Sequence, residues 1–560
     1  MKDMVLLGDE AIALGAIHAG VSGCFGYPGT PSTEIMEYLV DAFESGDGPV
    51  ARWCANEKTA YESALGVSFA GRRSIVTMKH VGLNVAADPF MNSALCQISG
   101  GLVCVVADDP SMHSSQGEQD TRFYADFAMI PLLEPVNQQE AYEMVGEAFE
   151  LSERFRVPVI LRMVTRLAHS RAVVRVGESP RAENGLEKGA PADWMLLPAL
   201  ARKNYAKLIE KQLPMTEWSS AWGRNALNVN PARKDLAIIT SGLGRNYFEE
   251  NLADYRAACG AAGLPTTLHV ACLPLPADLI RKVADHAETI LVIEEGMPFL
   301  EKQLRGIIPG KNKITGKFDG RLPRAGELNP DNVRLALGLP PRSSALAGVS
   351  APELPARPPQ LCKGCPHHDS YSSLNIAVNR LNEKEGKVST VVAADIGCYA
   401  LGAVAPLKAV ETIVCMGASI GMARGAADAG YKYTFGVIGD STFLHSGLTG
   451  LVDAVSSKTP VTIIVLDNSI VAMTGCQPTM LPSSQLEAAI LGIGVEREHV
   501  RVIEALPGKV EENAKILMEE AEYRGVSVVI FVRECLEAVR LRKKSAANKA
   551  ARSAEAGGAR

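Results

Sequence analysis

Residues 435–475 read FGVIGDSTFLHSGLTGLVDAVSSKTPVTIIVLDNSIVAMTG, and this stretch decides the fold. It predicts two buried strands joined by a helix. The apolar run FGVI ends in Gly439-Asp440-Ser441, a helical pattern carries Leu448, Leu451 and Val455, and after Pro460 the β-branched run VTIIVL ends in Asp467-Asn468-Ser469. Both polar clusters therefore fall at the carboxyl ends of neighbouring parallel strands, where open α/β sheets bind ligands. Glycine lets backbone approach a phosphate, and the helix that follows offers free N–H groups to it. Asp440 and Asn468 supply hard oxygen ligands of the kind that hold Mg²⁺ between protein and a diphosphate. The competing reading is an ordinary strand end with an Asx turn at Asp467-Asn468.

The two clusters, 28 residues apart from Asp440 to Asn468, resemble the thiamine diphosphate motif, usually GDG followed by NN. Here Ser441 replaces the second glycine and Asp467 the first asparagine, while both expected metal ligands, Asp440 and Asn468, are kept. The resemblance implies that the backbone carbonyl of Ile470 completes the metal shell.

The chain has 560 residues, too many for one core, with 47% apolar and 21% charged residues and a formal charge of −6. Such a balance, without a basic stripe interleaved with aromatics, gives no reason to expect nucleic acid. Apolar runs are interrupted well short of a membrane span, and the start MKDMVLLGDEAIALG lacks the regions of a secretion signal, so a cytoplasmic enzyme is expected. Most of the twelve cysteines sit in apolar or Gly-rich surroundings, as reduced thiols do. The close pair Cys362-Lys-Gly-Cys365, near His367 and His368, reads as half a metal site, a redox pair, or simply a tight turn entering a helix.

From Met1 to about Ala172 strands and helices alternate, which implies a parallel sheet covered on both faces. Pro28-Gly29-Thr30-Pro31-Ser32 leaves one strand, its hydroxyls placed to cap the next helix. Asn56-Glu57-Lys58 opens another helix, where a glutamate complements the helix dipole. Residues 181–234 lose this regularity and are expected to be a connector. LAIITSG, TTLHVA and TILVIEE announce a smaller α/β domain over 235–339, with no evident chemistry of its own. A Pro-rich linker, 340–360, precedes a last α/β domain over 361–540. Within it, Gly417-Ala418-Ser419 sits where a strand-like run gives way to a helix, which suits either a phosphate or close packing. The basic, Ala-rich tail 541–560 is expected to be disordered.

Taken in order, GYPGTPST, NEKTAYESALGVSFAG, TMKHVGLNVAADPFM, DDPSMHSSQGEQD, LCKGCPHH, ADIGCYALGA, CMGASIGMA, GDSTFLHSG and LDNSIVAMTG resemble the α subunit of indolepyruvate ferredoxin oxidoreductase, in the wider 2-oxoacid:acceptor oxidoreductase group. The resemblance implies a thiamine diphosphate-binding α/β fold: two large doubly wound parallel-sheet domains, a pyrimidine-binding one over 1–180 and a diphosphate-binding one over 361–540, with a smaller, transketolase C-terminal-like α/β domain between them. It implies that Glu57 contacts the aminopyrimidine ring, that Thr30 lies near the substrate, and that His80, Lys79 and His367 hold a carboxylate or shuttle a proton. Asp395, Cys398, Gly417, Ala418, Ser419, Gly439, Asp440, Ser441 and Asn468 would line the cofactor, with Asp440, Asn468 and Ile470 on Mg²⁺.

The implied reaction is oxidative decarboxylation of a 2-oxoacid, an aryl-pyruvate such as indolepyruvate or phenylpyruvate, with coenzyme A taking the acyl group. The implied partners are a small β subunit and a second copy of this chain within a hetero-oligomer. Family members commonly continue into a ferredoxin-like domain with runs such as CxxCxxCxxxCP. No such run follows Cys535, and nowhere are four cysteines close in sequence, so no [4Fe–4S] cluster is expected on this chain and a separate iron–sulfur or flavin protein would take the electrons. A non-oxidative decarboxylase or carboligase is the alternative.

Overall fold

The computed structural model describes residues 2–44, 48–178, 180–308, 310, 312–342 and 360–544. The chain forms two compact units, Met1–Ser350 and Ala351–Arg560.

The second unit is built on the stretch that opened the sequence reading. Tyr433–Gly439 and Val461–Asp467 are neighbouring parallel strands, Phe435 facing Thr462 and Gly439 facing Leu466. The helical connection between them passes through a π turn, Phe443–Gly447, into the helix Leu448–Ser457. They sit in a six-stranded sheet ordered Thr412–Ile413, Thr390–Ala394, Tyr433–Gly439, Val461–Asp467, Val526–Val532, Val500–Glu504, every pair of it parallel. Alternate residues feed two cores: Phe435, Val437, Ile464 and Leu466 pack on one face, Ile438, Ile463 and Val465 on the other. That is the two-residue period of a strand buried on both sides, and it explains why these runs are continuously apolar. From Thr390–Ala394 the chain first moves to one edge and then returns to the other side at Tyr433–Gly439. The strand order thus reverses between these two strands, and the crevice outside their carboxyl ends holds Asp395 and Asp440.

The first unit repeats the logic. Its seven-stranded sheet runs Cys272–Leu273, Leu132–Leu133, Val159–Val164, Leu102–Asp108, Ser74–Lys79, Gly23–Gly26, Val50–Trp53, and the order reverses between Gly23–Gly26 and Ser74–Lys79. The turn containing Thr30 and the residues Lys79 and His80 stand just beyond those strand ends.

Residues 235–339 have their own five-stranded sheet and core cluster but belong to the same compact unit. Two features join them to the first sheet. Cys272–Leu273 pairs antiparallel with Leu132–Leu133, and a buried ionic network crosses the junction. Arg162 donates to Asp108 at 2.7 Å and pairs with Glu134; Arg122 donates to Asp120 at 2.6 Å and to Glu294 at 2.8 Å. The Glu294-Glu295-Gly296 strand end is therefore a structural junction.

Two boundary expectations change. Within the expected connector, Pro198–Ala221 forms a 24-residue helix. It buries only Asn204, Leu208, Met215 and Ser219, a seam too narrow to give an apolar stripe, and Pro214 lies inside it. The first residues of the tail, 541–544, continue a helix that begins at 536. The Pro-rich linker, apart from its ends, and residues 545–560 lie outside the described residues.

Candidate active site

In the second unit the residues expected to hold a diphosphate and its metal converge at the reversal point. Gly439 ends its strand, and a side chain there would stand 2.6 Å from the Tyr399 ring. Asp440 follows, buried, with Oδ2 accepting the backbone N–H of Ser469 at 2.9 Å. Asp467 Oδ1 accepts the same N–H at 3.0 Å, while its buried Oδ2 has no hydrogen-bond partner. Burial, and then the Asp467 charge, hold the Asp440 carboxyl well above the usual carboxylate range. Two crowded carboxylates, one with an orphaned oxygen, are a donor set suited to a divalent cation.

The turn supporting this arrangement is the Asx turn of the competing reading. Ile470 N–H donates to Asn468 Oδ1 at 3.2 Å, and Ser469 adopts φ 64°. Both readings hold together, because the turn is what carries Ser469 onto Asp440. Asn468 Nδ2 meets His367 Nε2 at 3.3 Å. His367 is buried, and desolvation lowers its pKa to about 4, so its bare Nε2 accepts the amide proton.

Asp395, beyond the end of Thr390–Ala394, is tied to the helix that follows Gly417. Its Oδ2 accepts the Ser419 hydroxyl at 2.6 Å and the Ser419 N–H at 3.3 Å, and its Oδ1 accepts the Tyr399 hydroxyl. The carboxylate thereby occupies the start of the helix Ala418–Asp428, and burial raises its pKa to about 6. Ser419 offers neither N–H nor hydroxyl to a phosphate here. Gly417, at φ 84°, packs where a side chain would fall 2.5 Å from Ser446 Cβ, so glycine is required on both counts, and Ala418 follows it at the helix start. Tyr399, which sequence reasoning did not single out, links Asp395, Gly439 and, edge-on at 6.3 Å, His367.

The close pair Cys362 and Cys365 also meets two cysteines distant in sequence. Cys362, Cys365, Cys398 and Cys535 line one cavity of about 110 Å³ together with His367 and Asn468. Burial first, and neighbouring thiols second, push Cys398 up to about 12; burial also raises Cys365 to about 11. Spacing along the chain separates these thiols; the fold brings them to one cavity. The signal was present in LCKGC, ADIGC and REC, but only three-dimensional convergence joins them.

In the first unit, Glu57 begins the helix Glu57–Phe69 behind an Asn56 cap and is 5% exposed. Gly82 abuts it: a Cβ there would stand 2.6 Å from Glu57 Oε1. Lys79 Nζ donates to Ser114 O and Oγ, both at 2.9 Å, and lies 3.9 Å from Asp109. Burial lowers its pKa to about 8, against the opposing pull of Asp109. Ser114 Oγ also donates to Thr30 O at 3.3 Å. His80 Nε2 donates to Gly117 O at 3.2 Å, leaving a buried Nδ1 without a partner. The capping expectation fails: Ser32 precedes the helix, but its hydroxyl turns back onto Gly29 O at 2.8 Å, and Thr33 Oγ1 accepts Gly29 N–H at 3.0 Å. Closing the Pro-Gly turn uses the hydroxyls instead.

Comparison with known proteins places the chain in a family. A family model described as pyruvate flavodoxin/ferredoxin oxidoreductase, thiamine diP-binding, matches residues 14–205, and one described as thiamine pyrophosphate enzyme, C-terminal TPP binding domain, matches 395–530. Indolepyruvate oxidoreductase subunit IorA of Archaeoglobus fulgidus is 38% identical, over 95% of this chain and 86% of that one. The Pyrococcus abyssi protein of the same name is 35% identical, over 95% and 85%. A solved 2-oxoglutarate:ferredoxin oxidoreductase from Magnetococcus marinus, with 2-oxoglutarate, coenzyme A and succinyl-CoA bound, shares the fold at TM-score 0.50 and 17% identity, covering 60% of this chain and 65% of that one. With identity sustained along nearly the whole chain and both thiamine diphosphate-binding models matched, this chain belongs to the indolepyruvate oxidoreductase IorA family, the large subunits of thiamine diphosphate-dependent 2-oxoacid oxidoreductases.

Proposed function

We propose that this chain oxidatively decarboxylates an aryl-pyruvate such as indolepyruvate or phenylpyruvate, passing the acyl group to coenzyme A. The observation that carries the reading is the crowded pair Asp440 and Asp467 at the strand ends, with an orphaned carboxylate oxygen. Asp440, Asn468 and the Ile470 carbonyl would hold Mg²⁺ against the diphosphate, with the backbone at Gly417, Gly439 and Ser441 lining it. Bound thiamine diphosphate would supply the carbanion and the electron sink.

The residues' own work is positioning and proton control. Glu57 would hold the aminopyrimidine ring through a hydrogen bond to a ring nitrogen. Lys79 supplies a cation for the substrate carboxylate, with Thr30 beside it. His80, through its open Nδ1, would hold or shuttle a proton, and His367, neutral at physiological pH, would position Asn468.

Cys362, Cys365, Cys398 and Cys535 line one cavity, and against the expectation from chain spacing we propose that they hold an iron–sulfur cluster. Such a cluster would supply a one-electron acceptor on this chain and would pass electrons to a separate iron–sulfur or flavin protein. The relatives' names support the aryl-pyruvate, and the coenzyme A bound in the solved neighbour supports the acyl acceptor. Being named as subunits supports partner subunits, which we take to be a small β subunit and a second copy of this chain. Twelve free thiols support a reducing, cytoplasmic setting, and among the described residues no helix is long and apolar enough to cross a membrane.

The test is turnover of indolepyruvate by the chain and its co-encoded partner, with thiamine diphosphate, Mg²⁺ and a one-electron dye. Dye reduction that needs coenzyme A supports the proposal. Release of an aldehyde or hydroxyketone without dye reduction would establish the non-oxidative alternative.

A further inference from the structure

Among the described residues of the first unit, Asp9 is a fully buried acid without a hydrogen-bond partner. It lies in the first turn of the helix Gly8–His18, is 0% exposed, and neither carboxylate oxygen has a hydrogen-bond partner. The charges bearing on it, Glu34, Glu10 and Glu37, are all acidic. An isolated buried carboxylate is strongly disfavoured unless something compensates it. Two further donors converge on it. Glu34 comes from the first turn of Thr33–Phe43, and its buried Oε2 also has no partner. His169 comes from the end of Thr165–His169, with Nε2 3.5 Å from Glu34 Oε1. One ligand atom from each of the three residues falls within 4.8 Å of the others.

We propose that Asp9, Glu34 and His169 bind a divalent transition-metal cation, Zn²⁺ or its chemical kin, fastening together three helices of the first unit. An imidazole with two carboxylates favours such a cation over Mg²⁺, which prefers oxygen ligands alone. Glu34 and His169 side chains are each 36% exposed, so the site opens to solvent on one side, where water would complete the shell. Nothing in the proposed reaction uses these residues, so the site is a structural staple.

The test uses the full chain stripped with chelator and then saturated with thiamine diphosphate and excess Mg²⁺, its thiols alkylated so that cysteines take no part. Co²⁺ titration should show one bound equivalent by its visible absorption, displaced by Zn²⁺. His169→Gln, at a half-exposed position, should weaken Co²⁺ at least tenfold. Zn²⁺ should raise Tm in the parent and not in Asp9→Asn. Equal Co²⁺ affinity in parent and His169→Gln, absence of a thiol-independent Co²⁺ site, or an undiminished Zn²⁺ effect on Tm in Asp9→Asn would each overturn the proposal.

Discussion

The Ser469 N–H is shared between Asp440 Oδ2, at 2.9 Å, and Asp467 Oδ1, at 3.0 Å. One backbone donor thus ties together the ends of two neighbouring strands and holds two buried carboxylates side by side. Burial first, and the neighbouring Asp467 charge second, make Asp440 resist ionisation. Water alone relieves this poorly. A divalent cation bound between the two carboxylates would offset their repulsion.

Glu57 tests the proton-handling half of the account. Glu57→Gln keeps the shape and the packing on Gly82 but cannot share its proton with a ring nitrogen. It is expected to keep thiamine diphosphate affinity within a few-fold while kcat falls by about 10²–10⁴. Unchanged kcat would remove Glu57 from catalysis.

Lys79 predicts a pH limb. Its pKa in the folded chain is lowered from 10.5 to about 8, chiefly by burial. The folded state gives up this proton before the unfolded chain does, so the cost of burying the charged amine acts below about 8 and fades as pH climbs toward 10.5. For binding the sign is opposite: above about 8 the cation that meets the substrate carboxylate is lost. KM for the 2-oxoacid should therefore rise about tenfold per pH unit above that point, and Lys79→Gln should raise KM at lower pH and flatten the limb. A KM independent of pH through this range would mean that Lys79 does not hold the carboxylate.

The buried network predicts an asymmetric stability cost. Arg162→Met leaves Asp108, Asp120 and Glu134 without their shared cation, and should destabilise the first unit by about 3–5 kcal/mol in denaturant titrations. A loss below about 1 kcal/mol would show that these carboxylates are compensated elsewhere.

For the four thiols, anaerobically purified chain should contain iron and acid-labile sulfide in equal amounts. Both should be lost in Cys398→Ser and in Cys535→Ser. Zinc in place of iron and sulfide would contradict the assignment.

Much of the second unit was legible in Phe435–Gly475 because its signals are local: strand, polar cluster and helix follow one another within 41 residues. The same locality put Asp440 and Asn468 at the ends of neighbouring strands, whereas only the resemblance singles out Glu57. What sequence could not show is convergence. Cys398 and Cys535 look like isolated thiols until the sheet brings them beside Cys362 and Cys365, and Tyr399 is one aromatic among thirteen tyrosines until its hydroxyl reaches Asp395. Direction was equally hidden: Ser32 has the right residue type for a cap, yet its hydroxyl turns inward to Gly29. The helix Pro198–Ala221 escaped because a long helix resting on four buried residues leaves no apolar stripe to read.

The central claim is tested most directly by calorimetric titration of thiamine diphosphate, with Mg²⁺ present, into the intact chain with its partner, and into the same complex carrying Asp440→Ala. The account predicts saturable, Mg²⁺-dependent binding in the parent and a loss of at least about a hundredfold in affinity in the variant, comparable to losing a metal's key ligand. Equal affinity in both proteins, or binding indifferent to Mg²⁺, would contradict it.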